Sequence, residues 1–149
     1  MITYQQEFLA KLKDEIIPLL KEDWGEIEHN KDLRKFAPAW SLYEELELLN
    51  ILSIFTVRDD EELIGYFVVM TMPSLHCEGI NQAMCDLVYL RKKYRKGLIG
   101  YKLFKFAEEC VRQDGADVLH VTTTEINPID GLMLKLGYNK IETKFEKVL

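Results

Sequence analysis

The sequence predicts an α/β fold, a single sheet with helices on both of its faces. Two observations carry that prediction. Apolar residues recur with helical spacing near the start of the chain and again after residue 98, whereas the middle changes to runs rich in β-branched and aromatic residues. One of those runs, ELIGYFVVMTM, is apolar on both faces, as a central strand covered on each side must be. The elements read in the order α-α-β-β-β-α-β-α-β, and a chain of 149 residues fits one domain, 1–149.

Taken in order, Phe8, Leu12, Ile16, Leu19 and Leu20 share one face of an opening helix. Pro18 is expected to kink or split it, because proline removes a donor and crowds the preceding turn. The polar stretch DWGEIEHNKD follows, then PAWSLYEELELLN as a second helix between Pro38 and Asn50. ILSIFTVR and ELIGYFVVMTM form a hairpin across DDEE, closed by Pro73. After the loop PSLHCEGIN, a third strand spans Ala83 to Leu90. A helix from Leu98 to Asp114 buries Ile99, Leu103, Phe106, Ala107 and Cys110, and Gly115 ends it in a left-handed conformation. ADVLHVTTT is the fourth strand. NPIDGLMLKLG is a short helix with Asn127 as cap and Pro128 at its first position, and YNKIETKFEKVL alternates as a terminal strand.

Composition narrows the function. With 25 acidic against 19 basic residues the net charge is -6, which argues against a general binder of nucleic acid or membrane surfaces. Cys77, Cys85 and Cys110 show no C-x-x-C spacing, and the chain has only three histidines, so no metal site is expected. The unpaired cysteines fit a reducing, cytoplasmic setting. The N-terminal residues carry charges every few positions and do not read as a signal peptide, and no apolar run reaches the length of a membrane span.

Against that acidic background, YLRKKYRKGLIGYKLFKFAEE gathers Arg91, Lys92, Lys93, Arg95 and Lys96 just before a helix. Strand, cationic turn, helix is an arrangement that binds phosphate, because amides at a helix start lack intrahelical partners and glycine lets the backbone approach a ligand. The turn is neither a Walker loop nor a dinucleotide fingerprint. Arg95-Lys96-Gly97-Leu98-Ile99-Gly100 instead resembles the acetyl-CoA-binding segment of the GNAT superfamily of N-acetyltransferases, [Arg/Gln]-x-x-Gly-x-[Gly/Ala]. It departs at the middle glycine, where Leu98 stands and Gly97 comes one place early. Gly137 and Tyr138 resemble the Gly-aromatic pair before the family's last strand. The likeness covers residues 51 to 149, with the family's first strand missing or very short. The opening helices look most like compact phage-encoded members.

The resemblance implies a GNAT fold, a mixed, mostly antiparallel sheet with a V-shaped splay between the central strands, and acetyl-CoA as co-substrate. An amine of a small molecule or protein would attack the thioester directly. The pyrophosphate would rest on the amides of Lys96, Gly97, Leu98, Ile99, Gly100 and Tyr101, beside Arg95. The pantetheine would pair along Val88, Tyr89 and Leu90. Arg91, Lys92 and Lys93 would hold the 3′-phosphate or merely concentrate an anionic cofactor. Strand alternation puts Met84, Asp86 and Val88 on one face and Cys85, Leu87 and Tyr89 on the other. Asp86 is the candidate base, or else a contact for the acceptor's ammonium or a partner for local backbone. Met133 stands where relatives carry an acidic tyrosine, leaving solvent, Tyr101 or Tyr138 to protonate the thiolate. Asn127 contacts the pantetheine or caps a helix. Trp24, Glu26, Tyr43 and His76 are candidates for the acceptor side; His120 reads as an ordinary strand histidine. The expected protein is a cytoplasmic monomer or homodimer, in host cytoplasm if phage-encoded; the alternative is a catalytically weak CoA-binding effector.

Overall fold

The computed structural model describes residues 1–149. The elements are β1 (Ile2–Gln6), α1 (Leu9–Ile27), α2 (Trp40–Leu48), β2 (Leu52–Asp59), β3 (Glu62–Pro73), β4 (Asn81–Leu90), a 3₁₀ turn (Lys92–Tyr94), α3 (Ile99–Gln113), β5 (Val118–His120) and α4 (Asp130–Leu136). The sheet order is β1-β2-β3-β4-β5. Its first three pairings are antiparallel, and β5 joins β4 in parallel. The expected mixed, mostly antiparallel sheet with helices on both faces is therefore present.

Two packed layers cover the sheet. On one face α1 and α2 bury Leu12, Ile16, Leu19, Tyr66, Val68 and Tyr89; on the other α3 and α4 bury Phe55, Phe67, Val69, Leu103, Phe104 and Met133. Strand β3 contributes to both, as its two apolar faces require. Gly65 on β3 is needed there, because an added Cβ would lie 2.6 Å from the Tyr89 carbonyl oxygen.

Four expectations are corrected. A first strand exists: ITYQQ pairs along β2, and its half-polar composition suits an edge strand with only Ile2 and Tyr4 turned inward. Helix α1 is not split at Pro18 and continues through DWGEI to Ile27. Pro18 and Asp14 lie on its exposed side, where water can satisfy the carbonyl that proline leaves without a donor. Phe8 precedes the helix and is exposed; Leu9 begins the buried stripe, and its N–H donates to Glu47 Oε1 of α2 at 3.0 Å. Residues 139–149 form no strand, make no backbone hydrogen bonds, and leave Phe145 91% exposed. Their alternation finds no partner strand, and Glu146 alone anchors them, through His29 and Arg34.

Strand β4 carries the irregularity that shapes the site. Val68 opposes Leu87 but Val69 opposes Cys85, so Asp86 is an extra, unopposed residue: a β-bulge. The bulge reverses the alternation expected across it. Cys85, Val88 and Leu90 pack toward α3, while Leu87 and Tyr89 pack toward α1. Strand β5 pairs only with Gln82, Ala83 and Met84, so it leaves β4 just before the bulge. Beyond that point the outer edge of β4 has no neighbouring strand, which is the splay.

Candidate functional site

The open edge of β4 leads into the basic turn and the start of α3. Gly97 takes a left-handed conformation, φ +91°, with nothing within 4 Å of where a Cβ would lie, and Leu98 then caps α3. The early glycine thus supplies the positive φ that leucine at 98 avoids. Gly100 faces ordinary packing distances, 3.7 Å to Leu90 Cδ2, so its smallness is not demanded by crowding. The backbone N–H groups of Lys96 through Tyr101 donate to no protein acceptor; the first helical bond here runs from Lys102 to Leu98. Tyr4 Oη donates to the Ile99 carbonyl at 3.3 Å and ties β1 to this end of α3.

Most of the positive charge is already matched. Arg95 donates from Nε to the Leu90 carbonyl at 2.7 Å and from Nη2 to Glu26 at 2.8 Å, and lies 5.2 Å from the centre of the Tyr89 ring. Arg91 pairs with Glu62 and, at 3.4 Å, with Glu22. Lys92 and Lys93 lie 3.8 Å from Glu26 and Glu62. Lys96 is the one cation of the run without a carboxylate partner, and it is exposed. Glu26, expected on the acceptor side, thus contacts Arg95, Lys92 and Tyr89 at the basic turn. Burial opposes its charge, but hydrogen bonds from Arg95 and Tyr89 prevail and hold its carboxyl below the usual range. A solvent-open recess of about 440 Å³ is lined by these same ion pairs and sits on the α1 side of β4.

Asp86 stands at the bulge with its carboxylate accepting no hydrogen bond, open to solvent on one side. Protein mass on the other sides raises its pKa by desolvation. Two further acidic groups lie near. Tyr43 of α2 is pushed up to about 12, first by burial and then by the charges of Asp86 and Asp23. Asp23 of α1 is 3% exposed, accepts a 2.6 Å hydrogen bond from Tyr66 Oη, and is raised to about 6 by burial. Sequence reading passed over Asp23 as part of a polar stretch. The signal was present: Asp23 takes the next helical place after Ile16, Leu19 and Leu20. Cys85 lies beside Asp86 and its thiol is pushed up to about 12 by burial, so it is inert as a nucleophile.

Other candidates are not brought together. Trp24 donates from Nε1 to the Arg34 carbonyl at 3.2 Å and packs edge-on against Phe36, bracing the connection between α1 and α2. His76 lies in the exposed β3–β4 loop, at the end of β4 remote from the basic turn. The ten residues of β4 separate the two by about 30 Å. Tyr89 turns its hydroxyl to Glu22 and Glu26 on the α1 side, whereas Val88 and Leu90 face α3. Asn127 caps no helix: its N–H donates to Thr124 Oγ1, and Thr123 Oγ1 accepts from Ile129 at the start of α4. Met133 is buried in the α3 layer. Tyr138 Oη and Glu108 Oε1 are both buried without a hydrogen-bond partner, and burial raises the phenol.

Comparison with known proteins agrees with this geometry. A profile of the acetyltransferase (GNAT) family matches residues 13–138. An aminoglycoside acetyltransferase from an uncultured soil metagenomic sample superposes with a TM-score of 0.78 at 15% identity, over 100% of this chain and 99% of that one. A ribosomal-protein-alanine N-acetyltransferase from Brucella melitensis gives 0.72 at 17% identity, over 100% and 99%. An acetyltransferase from Clostridium acetobutylicum, solved with acetyl-CoA, gives 0.74 at 8% identity, over 99% and 96%. At these identities the likeness is one of fold. No curated protein matches the sequence, and no helix is long and apolar enough to cross a membrane.

Proposed function

The chain belongs to the acetyltransferase (GNAT) family, and on that premise we propose that it transfers the acetyl group of acetyl-CoA to a primary amine by direct attack. One observation carries the reading: six consecutive free amides, Lys96 to Tyr101, follow directly on a strand whose outer edge is open. Those amides and Lys96 fit the pyrophosphate of CoA, with Gly97 leaving room for it. The edge of β4 from Asp86 to Leu90, which no strand pairs and where Arg95 takes only the Leu90 carbonyl, fits an extended pantetheine arm. Bound acetyl-CoA supplies the activated acyl group.

The remaining work falls to the chain's own residues. Asp86 takes a proton from the acceptor's ammonium, so that a neutral amine forms the new C–N bond as the C–S bond breaks. Its pKa, raised by desolvation, strengthens it as a base. Backbone donors on the open edge of β4 stabilise the charge that develops on the carbonyl oxygen. Since Met133 offers no proton and burial makes the Tyr138 phenol a weaker acid, the thiolate takes its proton from solvent or from Tyr101. The nitrogen sheds its second proton to solvent as the amide forms, and the products are the N-acetylated amine and free CoA. Tyr43, Asp23 and Asp86 together favour a cationic acceptor.

A second reading, a CoA-binding effector with little or no transfer activity, is favoured by Met133, which places no phenol at the family's acid position. The phage-type likeness of the opening residues belongs with it. Free-thiol release across an amine panel separates the two. Turnover that is lost in Asp86→Asn supports transfer with Asp86 as base. CoA binding without turnover supports the effector, and absence of CoA binding defeats both.

A further inference from the structure

We propose that Glu26 is a positioning residue for the cofactor turn, acting through Arg95, and not a contact for the acceptor amine. The inference rests on the cofactor reading above and deepens it. Both oxygens of Glu26 are committed: Oε1 accepts from Tyr89 Oη at 2.8 Å, and Oε2 accepts from Arg95 Nη2 at 2.8 Å. Arg95 in turn donates to the Leu90 carbonyl at 2.7 Å, the point where the chain leaves β4 for the turn. The guanidinium is therefore held on three sides, by a carboxylate, a carbonyl and the Tyr89 ring, 5.2 Å away.

Such a clamp sets direction. Pinning Arg95 to the end of β4 sets the path by which the next residues reach Gly97 and the first turn of α3. It thereby aims the free amides of Lys96 to Tyr101. A guanidinium suits this task because its planar fork meets two acceptors at once; an ammonium on a flexible stem does not. Recognition of phosphate then depends on the shape of the turn and on Lys96 more than on the number of cations in the run.

The experiment measures the dissociation constant of CoA by calorimetry, and the KM for acetyl-CoA and for the amine, in Glu26→Gln, Arg95→Gln, Arg95→Lys and the Glu26→Gln/Arg95→Gln pair. Circular dichroism confirms that each is folded. Losing a hydrogen bond between charged groups is expected to weaken CoA about tenfold in Glu26→Gln, with the amine KM changed less than about twofold. Arg95→Lys, which keeps the charge and loses the fork, is expected to lose nearly as much as Arg95→Gln. The double variant is expected to be no worse than the poorer single one. A raised amine KM with unchanged CoA affinity in Glu26→Gln would return Glu26 to the acceptor side and overturn the proposal. So would full activity in Arg95→Lys, or additive losses in the pair. A wild-type protein that does not bind CoA defeats the cofactor reading itself, a failure visible before any variant is made.

Discussion

Asp23 makes the protein less stable at neutral pH than its fold would otherwise allow, and the replacement Asp23→Asn should reveal by how much. Its carboxyl is raised from 3.8 to about 6, by burial first, and the hydrogen bond from Tyr66 opposes the rise without cancelling it. The folded state therefore binds a proton more tightly than the unfolded chain does. This contribution to stability is fully present below pH 3.8 and is lost as pH rises through about 6. At about 1.4 kcal/mol per pH unit, the loss approaches about 3 kcal/mol at neutral pH. Asparagine keeps an oxygen for Tyr66 Oη and cannot ionise. Urea unfolding of both proteins at intervals between pH 4 and 8 isolates the effect, because other carboxylates cancel in the difference. Asp23→Asn is expected to match wild type near pH 4 and to exceed it by about 2–3 kcal/mol at pH 7. A difference that stays flat, or that turns in favour of wild type as pH rises, would refute the reasoning and show that Tyr66 and Arg95 hold Asp23 ionised.

The other predictions concern the strand and the turn. Gly65→Ala drives a Cβ to 2.6 Å from the Tyr89 carbonyl oxygen and is expected to cost more than about 2 kcal/mol, read as a lower melting temperature. Gly97→Ala must adopt φ +91° and is expected to cost about 1 kcal/mol and to raise the KM for acetyl-CoA while leaving the amine KM alone. With Asp86 as base, activity should fall as pH drops through a value above the usual carboxylate range; Asp86→Asn should abolish that acid limb together with most of the rate.

Regular periodicity accounts for what could be read without coordinates. The hairpin of β2 and β3, the helix ended by Gly115, and α4 ended by Gly137 all follow from runs that obey one period and close on a turn residue. The basic turn was legible as a place, because glycine and cations before a helical run have few other uses. Its internal arrangement was not, since the carboxylates that neutralise it come from α1 and from Glu62, far away in sequence. A bulge leaves no mark in a single sequence either, so the faces of β4 were assigned with one parity throughout. The alternation of residues 139–149 was a true pattern without a partner, which periodicity cannot supply. Asp23 was hidden for the opposite reason, as a polar residue in an apolar stripe that only its hydrogen bond to Tyr66 makes tolerable.

The bulge at Asp86 frees one position from the constraints that govern its neighbours. Cys85 is answerable to the α3 layer and Leu87 to the α1 layer, whereas Asp86 fills neither. Its identity can follow the demands of a new acceptor while the rest of β4 keeps the fold, so chemistry and packing can diverge independently along one strand. Removing the residue altogether would be a different event. The strand would straighten, with Cys85 still opposite Val69 and Leu87 still opposite Val68, so Leu87 to Leu90 would keep their faces and only the kink would be lost.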